Sequence, residues 1–172
     1  ALEAGVINGD SKVSCPGHIE FGDRRFHCWK RSGHGTVNLA RSLTESCDVY
    51  YYEVAQKIGI DKIAEMGRKL GFGARADLPM SAISDGLMPD RDWKQARYKK
   101  EWLIGDTINA SIGQGYVLAT PLQLAVMAAR IASGTEVEPR IIHSINDQPV
   151  PVPPAPSLGL EGAKLRAVQM AM

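Results

Sequence analysis

The chain has 172 residues and a mass of 18.7 kDa, the size of one ordinary domain, and its 44% hydrophobic and 23% charged residues match soluble globular proteins. Disordered, collagenous and coiled-coil classes are thereby excluded, and a sizeable core can form. Lys and Arg total 20 against 19 Asp and Glu, with no block of like charge, so nucleic acid is not an expected partner; no apolar run is long enough to span a membrane and no signal-sequence pattern opens the chain, so any anchor or targeting signal is expected outside these residues.

Taken in order, Ala1 to Ile7 reads as the tail of a helix stopped at Gly5. Residues 8–35 are rich in glycine, with scattered aromatics such as Phe21 and Phe26, and predict an irregular, hairpin-like segment. With Thr36 as N-cap, apolar residues recur at Leu39, Leu43, Tyr50, Val54 and Ile58 in helical steps, with one gap at Ser46, until Gly59 ends the run. Asp61 is positioned to cap a second helix through Leu70, before Gly71. The segment from Ser81 to Trp102 reads as an exposed loop anchored by Trp93, Tyr98 and Trp102.

Thr120-Pro121 then starts a third helix, Pro121 to Ser133, apolar on most faces and expected to be buried. Arg140 to Ile145 reads as a strand, and Pro149 to Pro156 holds five of the ten prolines, a stiff surface connection into a last helix from Glu161 to Met172. The blocks are therefore an irregular segment 1–35, a helical part 36–135, a strand region 136–148, a Pro-rich connection 149–158 and a helix 159–172. The fold class is mainly α with a small β component. Gly71-Phe72-Gly73 and Gly113-Gln114-Gly115 lack the full glycine pattern of a phosphate loop and read as turns.

Ser46-Cys47-Asp48 sits in the helical gap. On a continuous helix Ser46 and Asp48 would face nearly opposite ways. If the helix breaks here and Asp48 caps a new one from Val49, an extended link turns Ser46 and Asp48 to one side and Cys47 to the other. A serine and an aspartate can then share a polar cleft, although an N-cap aspartate beside an incidental serine is a common arrangement.

All three cysteines, Cys15, Cys28 and Cys47, fall in the first third of the chain. Together with His34 they form a set of three thiolates and one imidazole, the kind of closed four-ligand set that structural zinc takes. His34 is favoured over His18 and His27 because Gly33 and Gly35 let the backbone bend around a ligand, whereas His27 adjoins Cys28. A Cys15 to Cys28 disulfide with Cys47 free, and three buried reduced thiols, remain as alternatives.

Two long runs carry a family resemblance. The first is Trp29-Lys30, Gly33-His34-Gly35, Val37-Asn38-Leu39, Arg41-Ser42-Leu43 and Glu45 through Ala55; the second is Trp102 through Asn109, Ile112 through Tyr116 and Ala119 through Ala125. Both strongly resemble the class B penicillin-binding proteins, specifically the penicillin-binding protein 2 family of cell elongation, from Gly5 to about Arg140. The resemblance implies the helix-rich part of a penicillin-binding-protein or serine β-lactamase-like transpeptidase domain. It also implies a serine-type peptidoglycan D,D-transpeptidase that cross-links stem peptides, is acylated by β-lactams, works with elongation-complex membrane proteins and sits on the periplasmic face of the inner membrane.

Within that resemblance Ser46-Cys47-Asp48 looks like the second of three catalytic motifs. Ser46 would relay a proton and Asp48 would hold neighbouring lysines by charge-assisted hydrogen bonds. Some relatives bind zinc beside this motif at positions that match Cys15, Cys28, His34 and Cys47, with carboxylates where thiolates stand here. The departures are informative too. No Ser-x-x-Lys, Lys-Thr-Gly or Lys-Ser-Gly occurs among the 172 residues, and Ile104 stands where the family usually has proline. The expectation is an internal piece of the transpeptidase domain, inactive alone. The rival from another class is a non-catalytic, zinc-stabilised module that binds envelope proteins, and a serine β-lactamase is a weaker rival.

Overall fold

The computed structural model describes residues 1–172 and contains seven helices and six short strands. After turns at the start of the chain, β1 (Val13–Cys15) pairs antiparallel with β4 (Gly35–Val37), placing Cys15 opposite Gly35 and Val13 opposite Val37. Strand alternation turns Val13 and Cys15 inward and Ser14 outward. Between them, β2 (His18–Phe21) and β3 (Arg24–His27) form a hairpin closed by Gly22-Asp23, with Gly22 at φ 57° as such a two-residue turn requires.

Two helices follow in place of one, α1 (Leu39–Thr44) and α2 (Asp48–Ile58), broken at Ser46. The cap of α1 is Asn38, whose Oδ1 accepts from the Arg41 N–H at 3.0 Å. Thr36, expected in that role, is committed to β4 opposite Ser14. Nor does Asp48 cap α2. Cys47 is the N-cap residue, without a side-chain cap bond, and Asp48 is already in the first turn. Gly59, at φ 77°, ends α2 and starts α3 (Ile60–Lys69), so Asp61 lies inside the first turn of α3 and pairs instead with Arg91 at 2.9 Å.

Helix α2 is the spine of the molecule. Its Val49, Tyr50 and Val54 form one core with Val13, Val37 and Ile108. Val49 and Ile108 are fully buried, each contributing about 1.5–3 kcal/mol by removal from water.

The segment read as an exposed loop contains a helix, α4 (Arg91–Tyr98), capped by Asp90, whose Oδ1 accepts from the Trp93 N–H at 2.8 Å. Its aromatics are not loop anchors: Trp93 and Tyr98 pack with Tyr116 from the far side of α5 (Ile104–Ala110) at centroid distances of 5.2 and 5.6 Å. Buried Lys94 pairs with Asp106 and lies 5.8 Å from the Trp102 ring. Trp102 in turn donates its indole N–H to Thr107 Oγ1 at 2.8 Å.

Helix α6 (Pro121–Ser133) begins with a capping box between Thr120 and Gln123. It is not buried as its composition suggested. Only Gln123 and Arg130 are covered, while apolar Leu124, Met127 and Ile131 line an open apolar cavity of about 790 Å³ shared with Leu43, Met66 and Leu165. Composition sets what a face could bury, and the neighbours decide whether it does. The expected strand 140–145 is confined to β5 (Ser144–Ile145), which pairs with β6 (Gln148–Pro149) across a turn in which Asn146 and Asp147 both adopt positive φ; residues 140–143 have no strand partner. Helix α7 (Gly162–Ala171) closes the chain against α1 and α6. No helix is long and apolar enough to cross a membrane.

Candidate functional site

The break at Ser46 places each residue of the triplet differently. Ser46 adopts φ 51°, in the left-handed region, and its side chain is exposed. Cys47 is fully buried, and its N–H reaches back to the Ser42 carbonyl at 2.9 Å. Asp48 is half-buried, and its Oδ2 accepts the Trp29 backbone N–H at 2.8 Å. A second bond from the same residue, Trp29 Nε1–H to the Glu45 carbonyl at 3.0 Å, holds the turn on its other side. Trp29 thus clasps the turn before and after Ser46. The sequence alone assigns Trp29 no role, since only the folded chain shows which carbonyl its indole meets.

Behind this turn the four expected ligand residues converge. Cys15, Cys28, His34 and Cys47 are all buried, and their ligand atoms lie within 4.8 Å of one another. Cys15 comes from the end of β1, Cys28 follows β3, His34 precedes β4 and Cys47 opens α2, so four separate elements meet at one point. Two glycines make the convergence possible. A Cβ on Gly17 would lie 2.2 Å from the Arg31 carbonyl oxygen, and one on Gly33 would lie 2.2 Å from that of Cys15. The segments carrying Cys15 and His34 cross there with no room for a side chain. His18 and His27 instead face one another across the hairpin, with ring centroids 5.9 Å apart.

The donor set fits a tetrahedral metal. A zinc bound to sulfur at about 2.3 Å and to nitrogen at about 2.0 Å spaces an S and an N ligand by about 3.5 Å. His34 Nδ1 lies 3.6 Å from Cys15 Sγ and 3.5 Å from Cys28 Sγ. The three sulfurs are not joined by a disulfide. Burial pushes the Cys47 thiol up to about 12, and the neighbouring Cys15 and Cys28 sulfurs push the same way. On the other side of the ring, His34 Nε2 is a buried nitrogen without a hydrogen-bond partner. An imidazole that ligates through Nδ1 carries its proton on Nε2, which suits a ring held in this orientation.

Residues 1–169 match the penicillin binding protein transpeptidase domain family. Among curated proteins, the chain is 39% identical over 156 residues to the peptidoglycan D,D-transpeptidase MrdA of Escherichia coli K12. It covers 25% of that protein with 89% of its own length. It is 38% identical over 146 residues to the MrdA of Acinetobacter baumannii, covering 22% of that protein with 83% of its own length. Among solved structures it superposes on Pseudomonas aeruginosa PBP2 with a TM-score of 0.89 at 37% identity, covering 99% of this chain and 38% of that one. Helicobacter pylori PBP2, solved as a complex with MreC, matches with a TM-score of 0.85 at 33% identity, over 99% of this chain and 33% of that one. The chain therefore spans about a quarter of the curated relatives it matches. With this match over nearly all its residues, the chain belongs to the penicillin-binding protein transpeptidase family, on its penicillin-binding protein 2 side.

Proposed function

We propose that this chain is the second-motif portion of a peptidoglycan D,D-transpeptidase, with Ser46 and Asp48 its contribution to the active site. The observation that carries the proposal is the turn itself: an exposed Ser46 hydroxyl beside a half-buried carboxylate, fixed from both sides by Trp29 and fastened behind by a fully buried Cys47. A hydroxyl so placed can pass a proton between an attacking serine and a departing amine, and a carboxylate with one oxygen committed to Trp29 keeps the other for a lysine. The serine nucleophile and those lysines belong to Ser-x-x-Lys and Lys-Thr-Gly, which the 172 residues lack. In this reading the chain alone does not acylate. Its substrates are peptidoglycan stem peptides, and β-lactams acylate the complete site.

Cys15, Cys28, His34 and Cys47 hold one structural zinc ion in this proposal. A metal with four protein ligands has no open position for chemistry and contributes folding energy and local rigidity. Elongation-complex membrane proteins are proposed partners, since the H. pylori relative is solved with MreC, and the periplasmic face of the inner membrane is the proposed location. A purely structural zinc module would explain the cluster but gives no reason for an exposed serine in a left-handed turn.

The test is acylation by a fluorescent penicillin. The 172-residue chain remains unlabelled, whereas a polypeptide joining it to Ser-x-x-Lys and Lys-Thr-Gly labels. In the latter, Ser46→Ala slows acylation by about 10²- to 10⁴-fold without loss of fold, and Asp48→Ala slows it more. Parental rates in both variants would remove Ser46 and Asp48 from the active site.

A further inference from the structure

His34 Nε2 faces a single carboxylate. Glu45 Oε2 stands 4.0 Å from it, while the histidine side chain is 1% exposed and the glutamate 36%. The rest of the ring's surroundings offers no acceptor of that kind: Trp29 meets His34 edge to face, with centroids 5.5 Å apart. In this structure Glu45 bonds instead to Arg41, Nε to Oε1 at 2.6 Å and Nη2 to Oε2 at 3.3 Å, one helical turn away on α1. The carboxylate is therefore within reach of two partners, a surface guanidinium and a buried imidazole nitrogen that is otherwise unsatisfied.

Occupancy of the cluster changes that competition. A cation bound at Nδ1 fixes the proton on Nε2 and makes the N–H a stronger donor, and metal-bound histidines almost always give that proton to a carboxylate, carbonyl or water. We propose that Glu45 is the positioning residue for the metal: it accepts a hydrogen bond from the His34 Nε2–H, locks the ring with Nδ1 aimed at the three sulfurs, and thereby ties the metal to the residue directly before Ser46. This inference rests on the zinc reading of the cluster. It adds what that reading leaves open, namely why a lone imidazole in an otherwise thiolate site keeps one orientation. Arg41 acts as the competitor, because each Glu45 oxygen that accepts from its guanidinium is one less open to the His34 Nε2–H.

Zinc affinity of the 172-residue chain, measured by competition with a chromophoric chelator, tests this. Glu45→Ala weakens zinc binding by about 10- to 100-fold, the usual cost of losing a group that orients a metal-bound histidine. Glu45→Gln keeps an amide oxygen as acceptor and loses less than Glu45→Ala. Arg41→Ala binds zinc at least as tightly as the parent chain. That last variant separates orientation from helix stability, since a Glu45 that mattered only through its ion pair on α1 would make Arg41→Ala as harmful as Glu45→Ala. Equal affinities for the parent and Glu45→Ala, or matched losses in Glu45→Ala and Arg41→Ala, overturn the role of Glu45 and leave the zinc site standing. A parent chain that binds no zinc overturns both.

Discussion

Replacing Gly33 by alanine tests how the cluster is built. Gly33 sits at φ 78°, where a side chain costs about 1–2 kcal/mol, and its Cβ would lie 2.2 Å from the Cys15 carbonyl oxygen and 2.7 Å from the Pro16 carbonyl carbon. Those are backbone atoms, so relief requires separating the two segments that bring His34 to Cys15. Such overpacking adds about 1–3 kcal/mol, for a total of about 2–5 kcal/mol. Gly35 is the internal control: it has a similar φ of 67°, but nothing lies within 4 Å of its Cβ, so Gly35→Ala bears only the conformational cost of about 1–2 kcal/mol. At about 2–4 °C per kcal/mol for a chain this long, thermal melts separate the two variants. Zinc titration of the same samples shows Gly33→Ala weakened and Gly35→Ala close to the parent. Equal losses of stability and of metal affinity in both would refute the idea that a close backbone crossing assembles the site.

Elsewhere, Gln123 accepts from the Thr120 N–H and donates to the carbonyls of Ala74 and Asp85 at 2.9 and 2.8 Å, pinning the 74–85 loop to α6. Gln123→Ala should therefore cost about 2–3 kcal/mol in denaturant melts, against about 1 kcal/mol for Thr120→Ala, and equal costs would mean that the loop contacts contribute nothing. Burial first, then the negative charge of Asp48, pushes the Tyr52 hydroxyl up to about 12; it donates to the His27 carbonyl at 3.0 Å. Its folded value exceeds its unfolded value of about 10, so this stabilisation is complete below pH 10 and is lost as pH rises towards 12. The alkaline fall in melting temperature should thus shrink in Tyr52→Phe, and an unchanged profile would assign it to other groups.

How much of this was visible beforehand follows the range of the interactions involved. The Thr120-Pro121 start of α6 and the break at Ser46 depend on neighbours in sequence, and both lie where local reading put them. The convergence of Cys15, Cys28, His34 and Cys47 was legible because ligand chemistry restricts which side chains can share a point. Helix α4 was missed although Asp90 is an ordinary cap, because its aromatic and charged residues resembled a loop until Tyr116 arrived from beyond α5. The same limit hid Glu45 and Trp29. Their partners across the turn, His34 Nε2 and Asp48 Oδ2, come within reach only after the β1 and β4 strands have paired.

The metal proposed behind the Ser46 turn is tested most directly by native mass spectrometry combined with thiol alkylation, on chain purified without added zinc. One zinc per chain is expected, with Cys15, Cys28 and Cys47 unreactive until a chelator is added and all three alkylated afterwards, together with a lower melting temperature. A metal-free chain whose fold is indifferent to chelator, or one carrying a Cys15 to Cys28 disulfide, would contradict it.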